Sequence, residues 1–168
     1  MSGPTIRQRL AAAWWAAADN HASRAAGGRP VAIGWATVEL DRAAAELAEA
    51  LGLGSGEDSF RAAPGSVALG CSCRVAPRVL PEDGSLVVLE PDTEGRLAGA
   101  LARLGEGPAV AWLTPDEPAT APDVLRAAGF RVSAERDGPL GPERLVVGGP
   151  VDGWLLLLLD RAAGTIRA

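Results

Sequence analysis

The chain has 168 residues, of which 48% are hydrophobic and 22% charged. This is the size and composition of a single globular domain rather than of a disordered chain. Its net charge of −5 argues against nucleic acid and anionic membranes as partners, because no basic face is available to neutralise phosphates. The sequence contains no lysine, which excludes Schiff-base chemistry on a lysine side chain.

The hydrophobic runs of the chain are short. The longest, residues 154–159, is far below the length that spans a membrane, and the N-terminal segment lacks the apolar core of a signal peptide. We therefore expect a cytoplasmic protein. Two cysteines and one histidine are too few for a Cys/His zinc site of the usual kind.

The N-terminal segment predicts a helix followed by a connection. Ile6, Leu10 and Trp14 recur every four residues and form one apolar stripe of a helix over residues 5–18. Residues 20–30 predict the connection. The helix precedes the repeated pattern described below, so we expect it to pack as an appendage on the core or on a second subunit.

From residue 31 onward, strand and helix patterns alternate. Asp41 is the expected N-cap of the first helix in this part, and Gly52 its stop signal. The predicted helices are residues 41–51, 95–104 and 121–128. The predicted strands are residues 31–40, two short strands within 60–79, then 86–89, 109–114, 131–134, 143–147 and 154–159.

The sequence contains an internal repeat. Residues 32–37 match residues 109–114 at an offset of 77, and the same offset places Gly52 on Gly129. A strand, its helix and the glycine that ends the helix therefore recur in the same order, which predicts duplication of a supersecondary unit.

The second copy is shorter than the first. Residues 83–86 match residues 152–155 at an offset of 69, so one loop of the second copy has lost eight residues. The predicted organisation is an N-terminal helix and linker, residues 1–29, and one domain, residues 30–168, made of units at about 31–95 and 108–165.

Each unit has the order strand, helix and three strands. One such unit leaves a face of its sheet bare, whereas two units bury more apolar surface by pairing their sheets. The predicted fold class is α+β, with two β-α-β-β-β units forming a curved, partly open barrel around a central cleft, and an extra N-terminal helix.

This arrangement resembles the vicinal oxygen chelate superfamily, which includes glyoxalase I, extradiol dioxygenases, bleomycin-resistance proteins and methylmalonyl-CoA epimerase. The local match is best to the epimerase branch, where a strand ending Leu-Glu-Pro leads through a short helix to Gly-Glu-Gly and the next strand. Here these motifs are Leu89-Glu90-Pro91 and Gly105-Glu106-Gly107. Residues 39–43 also resemble the strand-to-helix corner of the family. The resemblance implies the fold but is a poor guide to activity.

The metal ligands that the resemblance would imply are missing. Enzymes of the superfamily commonly hold a divalent metal with His, Gln or Glu side chains on strands that face the cleft. The corresponding positions here are Ala32, Ala109 or Val110, Val88 and the leucines of residues 155–159. Apolar side chains supply no lone pairs, so we expect no metal and no cofactor, and the family's metal-assisted reactions are not expected.

Trp35 and Trp112 occupy equivalent places in the aligned copies. If Ala32, Gly34 and Ala36 line the cleft, strand alternation turns Trp35 away from it, beneath a helix, which favours symmetric core packing for both tryptophans. The alternative is a pair of aromatic walls that hold a flat ligand.

Four further residues are candidates for a site. Arg74 is a clamp for a carboxylate or phosphate, or else a surface arginine, and Cys73 is a nucleophile or else a buried thiol. Glu90 is a general base or ligand contact at the rim of the cleft, or else a turn residue that favours the following helix. Glu143 is a candidate for ligand binding, or else forms a solvated edge pair with Arg144.

Three functions follow from these residues. The first is a metal-free binding protein that encloses a small apolar or aromatic molecule, as in the sequestration of an antibiotic or another natural product. The second is a metal-independent lyase, isomerase or cyclase that uses Glu90 with Arg74 or Cys73. The third is a non-catalytic interaction protein that forms a homodimer through the helix carrying Trp14 and Trp15.

Overall fold

The computed structural model describes residues 3–55, 59–148 and 154–160. The helices are α1 (Ile6–Ala18), α2 (His21–Ala26), α3 (Leu40–Leu51), α4 (Arg96–Leu104) and α5 (Ala121–Ala127). The strands are β1 (Arg29–Ala36), β2 (Arg61–Ser66), β3 (Cys71–Leu80), β4 (Gly84–Pro91), β5 (Gly107–Thr114), β6 (Arg131–Val132), β7 (Glu143–Val147) and β8 (Leu155–Leu159).

These eight strands form one curved sheet in the order β2-β3-β4-β1-β5-β8-β7-β6. β1 and β5 pair antiparallel at its centre, and each is flanked on its outer side by a parallel strand, β4 or β8. The strand order read outward from the centre is the same in both halves. The predicted α+β fold of two β-α-β-β-β units in a curved, partly open barrel is confirmed. The expected end of the second unit, residue 165, lies outside the described residues.

The repeat has an offset of 78 residues in the central strands, not the 77 that the sequence alignment gives. The β1–β5 pairing skips one residue in each strand, Val31 and Ala109, and these two are 109 − 31 = 78 residues apart. The same offset relates Leu47 and Leu125, which are the buried leucines of α3 and α5, whereas Val124 is exposed. A shift of one residue reverses the faces of a strand, so the predicted equivalences across the copies change. Residues 152 and 153, used in the second sequence match, lie outside the described residues.

The two faces of the sheet bury separate hydrophobic clusters. The convex face, defined as the side covered by α1, α2, α3 and α5, holds the side chains of Ile33, Trp35, Leu86 and Val88. The concave face is the opposite side, and α4 packs there through Leu97. β8 contributes leucines to both faces, as expected of a strand that is buried on both sides.

The N-terminal helix packs on the convex face of its own chain. Trp14 is 1% exposed and lies against Gly84, where any side chain would overlap its ring. The Arg9 guanidinium lies 4.7 Å from the ring centre of Trp35, a cation–π contact that fixes α1 over β1. The sequence left two packing partners open for this helix, the core of its own chain or a second subunit. In the structure, α1 packs on the core of its own chain.

The expected connection at residues 20–30 contains α2 and the beginning of β1. The side chain of Asn20 accepts a hydrogen bond of 2.8 Å from the backbone N–H of Ala22, and Gly27 ends the helix with φ of 63°. Both are ordinary helix-capping signals, and a helix of six residues between them is too short to show apolar periodicity.

The turn at Glu106 ties the second unit to the first. Its carboxylate accepts hydrogen bonds from the Thr37 hydroxyl at 2.7 Å, the Val38 backbone N–H at 3.0 Å and the Arg42 guanidinium at 2.7 Å. Together these contacts hold the pKa of Glu106 below its usual value, and the hydrogen bond from Thr37 lowers it most. The Gly105-Glu106-Gly107 motif therefore joins the strand-to-helix corner of the first unit. In the described parts of the chain, no helix combines the length and the apolar character needed to cross a membrane.

The neighbouring tryptophans of α1 provide a matched test of this packing. Trp14→Ala is expected to lower the free energy of unfolding by about 3–5 kcal/mol, because it leaves a large cavity on the convex face. Trp15→Ala is expected to change it by no more than about 0.5 kcal/mol, because Trp15 is 61% exposed. Urea unfolding measures both values, and equal losses in the two variants would contradict the placement of α1.

Candidate functional site

The concave face is lined almost entirely by apolar side chains from both units. Each of these is at most 8% exposed, because they pack on one another and on residues from α4 and the β2–β3 turn. They are Ala32, Ala36, Leu69, Cys71, Cys73, Val75, Val87, Leu89, Leu97, Ala109, Val110, Trp112, Leu145, Leu157 and Leu159.

This lining does not fit a divalent metal ion. Ala32 and Val110 face the concave side at the positions where a metal enzyme of this fold is expected to carry ligands. Val88 faces the convex side, and its neighbours on the concave side, Val87 and Leu89, are equally without donor atoms. Among the described residues, no three His, Cys, Asp or Glu side chains are grouped so as to hold a metal.

A carboxylate lies on the concave face among these apolar side chains. Glu143 is fully buried. Its two oxygens accept hydrogen bonds from the Ser66 hydroxyl at 2.5 Å and from Nε1 of Trp112 at 2.7 Å. We call Ser66, Trp112 and Glu143 the carboxylate cluster. It joins the two units, since Ser66 ends β2 and the other two residues belong to β5 and β7.

Strand alternation explains why Glu143 is buried. In β7, Glu143 and Leu145 pair with Leu159 and Leu157 of β8, and these leucines belong to the concave cluster. Arg144 points to the other side of the sheet. There its guanidinium nitrogen lies 3.6 Å from a carboxylate oxygen of Glu135, and its side chain is 24% exposed. The interpretation of Glu143 and Arg144 as a solvated edge pair is therefore wrong, because neighbours in a strand face opposite ways.

Burial dominates the electrostatics of Glu143. It raises the pKa of this carboxyl above the usual glutamate value, and the hydrogen bonds from Ser66 and Trp112 offset only part of that rise. The proton is thus held more tightly in the folded protein than in the unfolded chain.

Two thiols lie beside the cluster. Sγ of Cys71 is 3.8 Å from Sγ of Cys73, and both cysteines are free and buried. Contact with Cys73, burial and the nearby Glu143 raise the pKa of Cys71 far above its usual value. Cys71 is therefore protonated at neutral pH and unsuited to nucleophilic attack.

A loop covers the carboxylate cluster from the outside. This loop, residues 137–142, is called the strap. It connects Arg136 and Glu143, whose backbones pair with each other through two hydrogen bonds. The backbone N–H of Val67 in the β2–β3 turn donates to the Asp137 carbonyl at 3.0 Å, so the strap is attached to the other unit. Gly138 is buried so close to Glu143 that any side chain there would overlap the carboxylate. Access to Glu143 from this side requires the strap to move.

Glu90 does not face the concave side. Its strand neighbour Val88 lies on the convex face, and the Glu90 carboxylate accepts a 2.7 Å hydrogen bond from the backbone N–H of Leu40. It therefore caps the first turn of α3, which the predicted N-cap Asp41 does not do. A carboxylate at a helix N-terminus also interacts favourably with the helix dipole.

Arg74 is likewise directed to the convex side. Its guanidinium binds the Asp41 carboxylate through Nε at 2.7 Å and through a terminal nitrogen at 2.6 Å. The residue next to it, Cys73, belongs to the concave cluster. The structure thus separates Arg74 and Glu90 from Cys73 by the thickness of the sheet.

Trp35 and Trp112 are not equivalent. Trp35 lies on the convex face beneath α1, as strand alternation predicts, whereas Trp112 lies on the concave face. The offset of 78 residues relates Trp112 to Gly34, and an added side chain at Gly34 would press on the Trp112 ring, Val110 and Leu89. The Trp112 ring occupies room that exists because its counterpart in the other copy is glycine.

Ser66 was not among the residues singled out from the sequence. Nothing in the local pattern connects it with Glu143, because the two are 77 residues apart and meet only when the sheet curls. The burial of Glu143 has a local signal, the alternation of Glu143 with Leu145 and Val147 in a strand.

Substitutions of Glu143 test its protonation. Because its folded pKa is raised, Glu143 stabilises the protein most at low pH, and this contribution is lost as pH rises from about 4.3 through the folded pKa. Glu143→Gln keeps partners for Trp112 and Ser66 but does not titrate, so its unfolding free energy is expected to rise relative to wild type across that range. Urea unfolding at successive pH values measures the difference, and parallel profiles would contradict the assignment.

Glu143→Leu is the matched control. It removes the charge as well, but leaves Nε1 of Trp112 and the Ser66 hydroxyl without their partner. We expect it to be less stable than Glu143→Gln by about 1–3 kcal/mol for each unpaired group.

This protein is similar to known proteins in its structure. No protein-family model matches the chain, and there is no significant match among curated proteins. The fold is similar to that of a variant of Streptomyces coelicolor methylmalonyl-CoA epimerase in complex with 2-nitronate-propionyl-CoA, with a TM-score of 0.60, 23% identity, and 77% of this chain and 94% of that one covered.

Two other solved structures give the same result. Methylmalonyl-CoA epimerase from Mycobacterium tuberculosis has a TM-score of 0.60 and 18% identity, with 77% of this chain and 85% of that one covered. A hypothetical protein from Bacillus halodurans has a TM-score of 0.57 and 14% identity, with 78% and 92% covered. The chain therefore has the fold of the vicinal oxygen chelate superfamily, as the motifs of its sequence predict.

Proposed function

We propose that this protein is a metal-free small-molecule-binding protein that encloses a largely apolar or aromatic molecule on the concave face. The observation that carries the proposal is the lining of that face, which is continuous, apolar and contributed by both units. Binding sites for small molecules are mostly apolar with a few placed polar groups, and the carboxylate cluster supplies those groups here. Sequestration of an antibiotic or another natural product is the proposed use.

The strap is the proposed entrance. The concave side chains are buried, and Gly138 lies against the Glu143 carboxylate, so a ligand that enters from this side needs residues 137–142 to move away from Glu143. The strap has few anchors: Leu140 packs partly against the concave cluster, and backbone N–H groups of Val67 and Asp160 donate to the carbonyls of Asp137 and Pro142. Segments with few buried contacts open at low free-energy cost.

Similar structures support a role in holding small molecules. Methylmalonyl-CoA epimerase with this fold has been solved with 2-nitronate-propionyl-CoA, and also with methylmalonyl-CoA and NH4+. The proposed ligand contacts in this chain are Trp112 and Glu143, with Cys73 as part of the wall. The free thiols of Cys71 and Cys73 are in keeping with action in the cytoplasm.

The alternatives have less structural support. An enzyme that uses Glu90 with Cys73 would need groups that lie on opposite faces of the sheet, whereas Glu90 and Arg74 share the convex side and are bound to Leu40 and Asp41 at the start of α3. A homodimer built on α1 would depend on Trp15, because Trp14 is buried within its own chain.

Thermal unfolding with a panel of aromatic natural products and antibiotics tests the proposal. At a ligand concentration of a hundred times Kd, we expect Tm to rise by about 5–10 °C. Trp112→Phe is expected to weaken this shift, whereas Trp35→Phe, which changes the convex face, is expected to keep it. Absence of a shift across the panel would refute the proposal, and equal weakening in both variants would refute the concave site.

Metal analysis provides an independent test. Protein purified without added metal is expected to contain no stoichiometric transition metal, and a chelator is expected to leave Tm unchanged, because the described residues contain no group of three His, Cys, Asp or Glu side chains that could hold one. One equivalent of bound metal, with a fall in Tm on chelation, would contradict the assignment.

A further inference from the structure

Glu143 lacks a cationic partner among the described residues. The pKa of Glu143 is set by its burial and by hydrogen bonds from Ser66 and Trp112, and neither of these two partners is positively charged. The adjacent Arg144 is directed to Glu135 and Asp160 instead. A buried carboxylate without a counter-charge is energetically unfavourable in its ionised form.

The hydrogen bonds of Glu143 leave acceptor capacity unused. An ionised carboxylate offers about four lone-pair directions, and the Ser66 hydroxyl and the Trp112 N–H occupy two. The carboxylate is in contact with the strap at Gly138, which presents backbone rather than a charged side chain. When the strap lifts, this side of Glu143 becomes open to a ligand.

The geometry points to an aromatic or apolar amine as the ligand class, with its protonated nitrogen bound by Glu143 where Gly138 now lies and its apolar part against Trp112 and the concave wall. This inference rests on the proposed function and specifies the substrate class for the same site. A charge-assisted hydrogen bond in a water-poor site is stronger than one between neutral groups. A neutral ligand of the same shape leaves the carboxylate without a counter-charge.

The pairing also predicts how affinity depends on pH. Amine binding needs ionised Glu143, and the pKa of this group is raised by burial, so affinity is expected to increase as pH rises through the folded pKa. Among the described residues, the thiols of Cys71 and Cys73 are the other titratable groups beside the cluster, and Cys71 remains protonated over this range. The charged strap neighbours Arg136 and Asp137 are exposed.

Calorimetric titration with benzylamine and benzyl alcohol, a pair of equal size, tests the inference. Wild-type protein is expected to bind the amine about ten- to a hundredfold more tightly than the alcohol. Glu143→Gln is expected to bring the two affinities within about threefold, with folding of the variant checked by its Tm. In wild type, amine affinity is expected to fall as pH is lowered, while alcohol affinity stays constant.

Each contrary outcome has a distinct meaning. Equal binding of amine and alcohol by wild type would overturn the amine assignment and leave the proposed binding function standing. An amine preference that persists in Glu143→Gln, or that is independent of pH, would also overturn the assignment to Glu143. No binding of either probe would overturn the inference, and the natural-product panel then decides the proposed function separately.

Discussion

The hydrogen bonds of the Glu143 carboxylate hold the two units of this protein together on their concave side. Ser66 and Glu143 lie on strands that are far apart in the sheet order, and they meet because the sheet curls until its two halves face each other. Trp112, from the central strand β5, donates to the same carboxylate and fills the space between. A polar group buried without partners is costly, so this cluster favours the closed arrangement over flatter ones.

The interior of the curved sheet is therefore a core as well as a candidate site. Its described walls are mostly carbon, and the Glu143 carboxylate is buried among them with Ser66 and Trp112 as its partners. The pairing of β1 with β5 relates the two units by an approximate twofold axis. The side chains beside this axis differ, because Trp112 of one unit occupies the room left by Gly34 of the other.

The fold was predictable from the sequence because its signals are local or repeated. The alternation of strands and helices, the recurring helix stops and the Gly105-Glu106-Gly107 motif all placed elements correctly to within a few residues. The internal alignment was one residue out, because matching Trp35 with Trp112 gave a better letter match than matching Trp112 with Gly34. In strands, this small error exchanges the two faces.

The candidate site was less predictable than the fold. Glu90 and Arg74 were candidates for the site, each beside a structural alternative, and both have a partner near the start of α3 instead. Glu143 was recognised as a candidate, but its partner Ser66 depends on long-range curling that no local pattern reveals. Contacts between distant strands are set by tertiary packing, and a single sequence carries no direct record of them.

The closed arrangement depends on the burial of Glu143, and carbon-13 NMR of glutamate side-chain carboxyls detects this burial through the titration of the carboxyl group. Comparison of wild type with Glu143→Gln identifies the Glu143 resonance during a pH titration. Because burial raises its pKa, Glu143 is expected to titrate with a midpoint clearly above the ordinary glutamate value of about 4.3. A Glu143 midpoint at or below that value would contradict a carboxylate enclosed by Ser66, Trp112 and the strap.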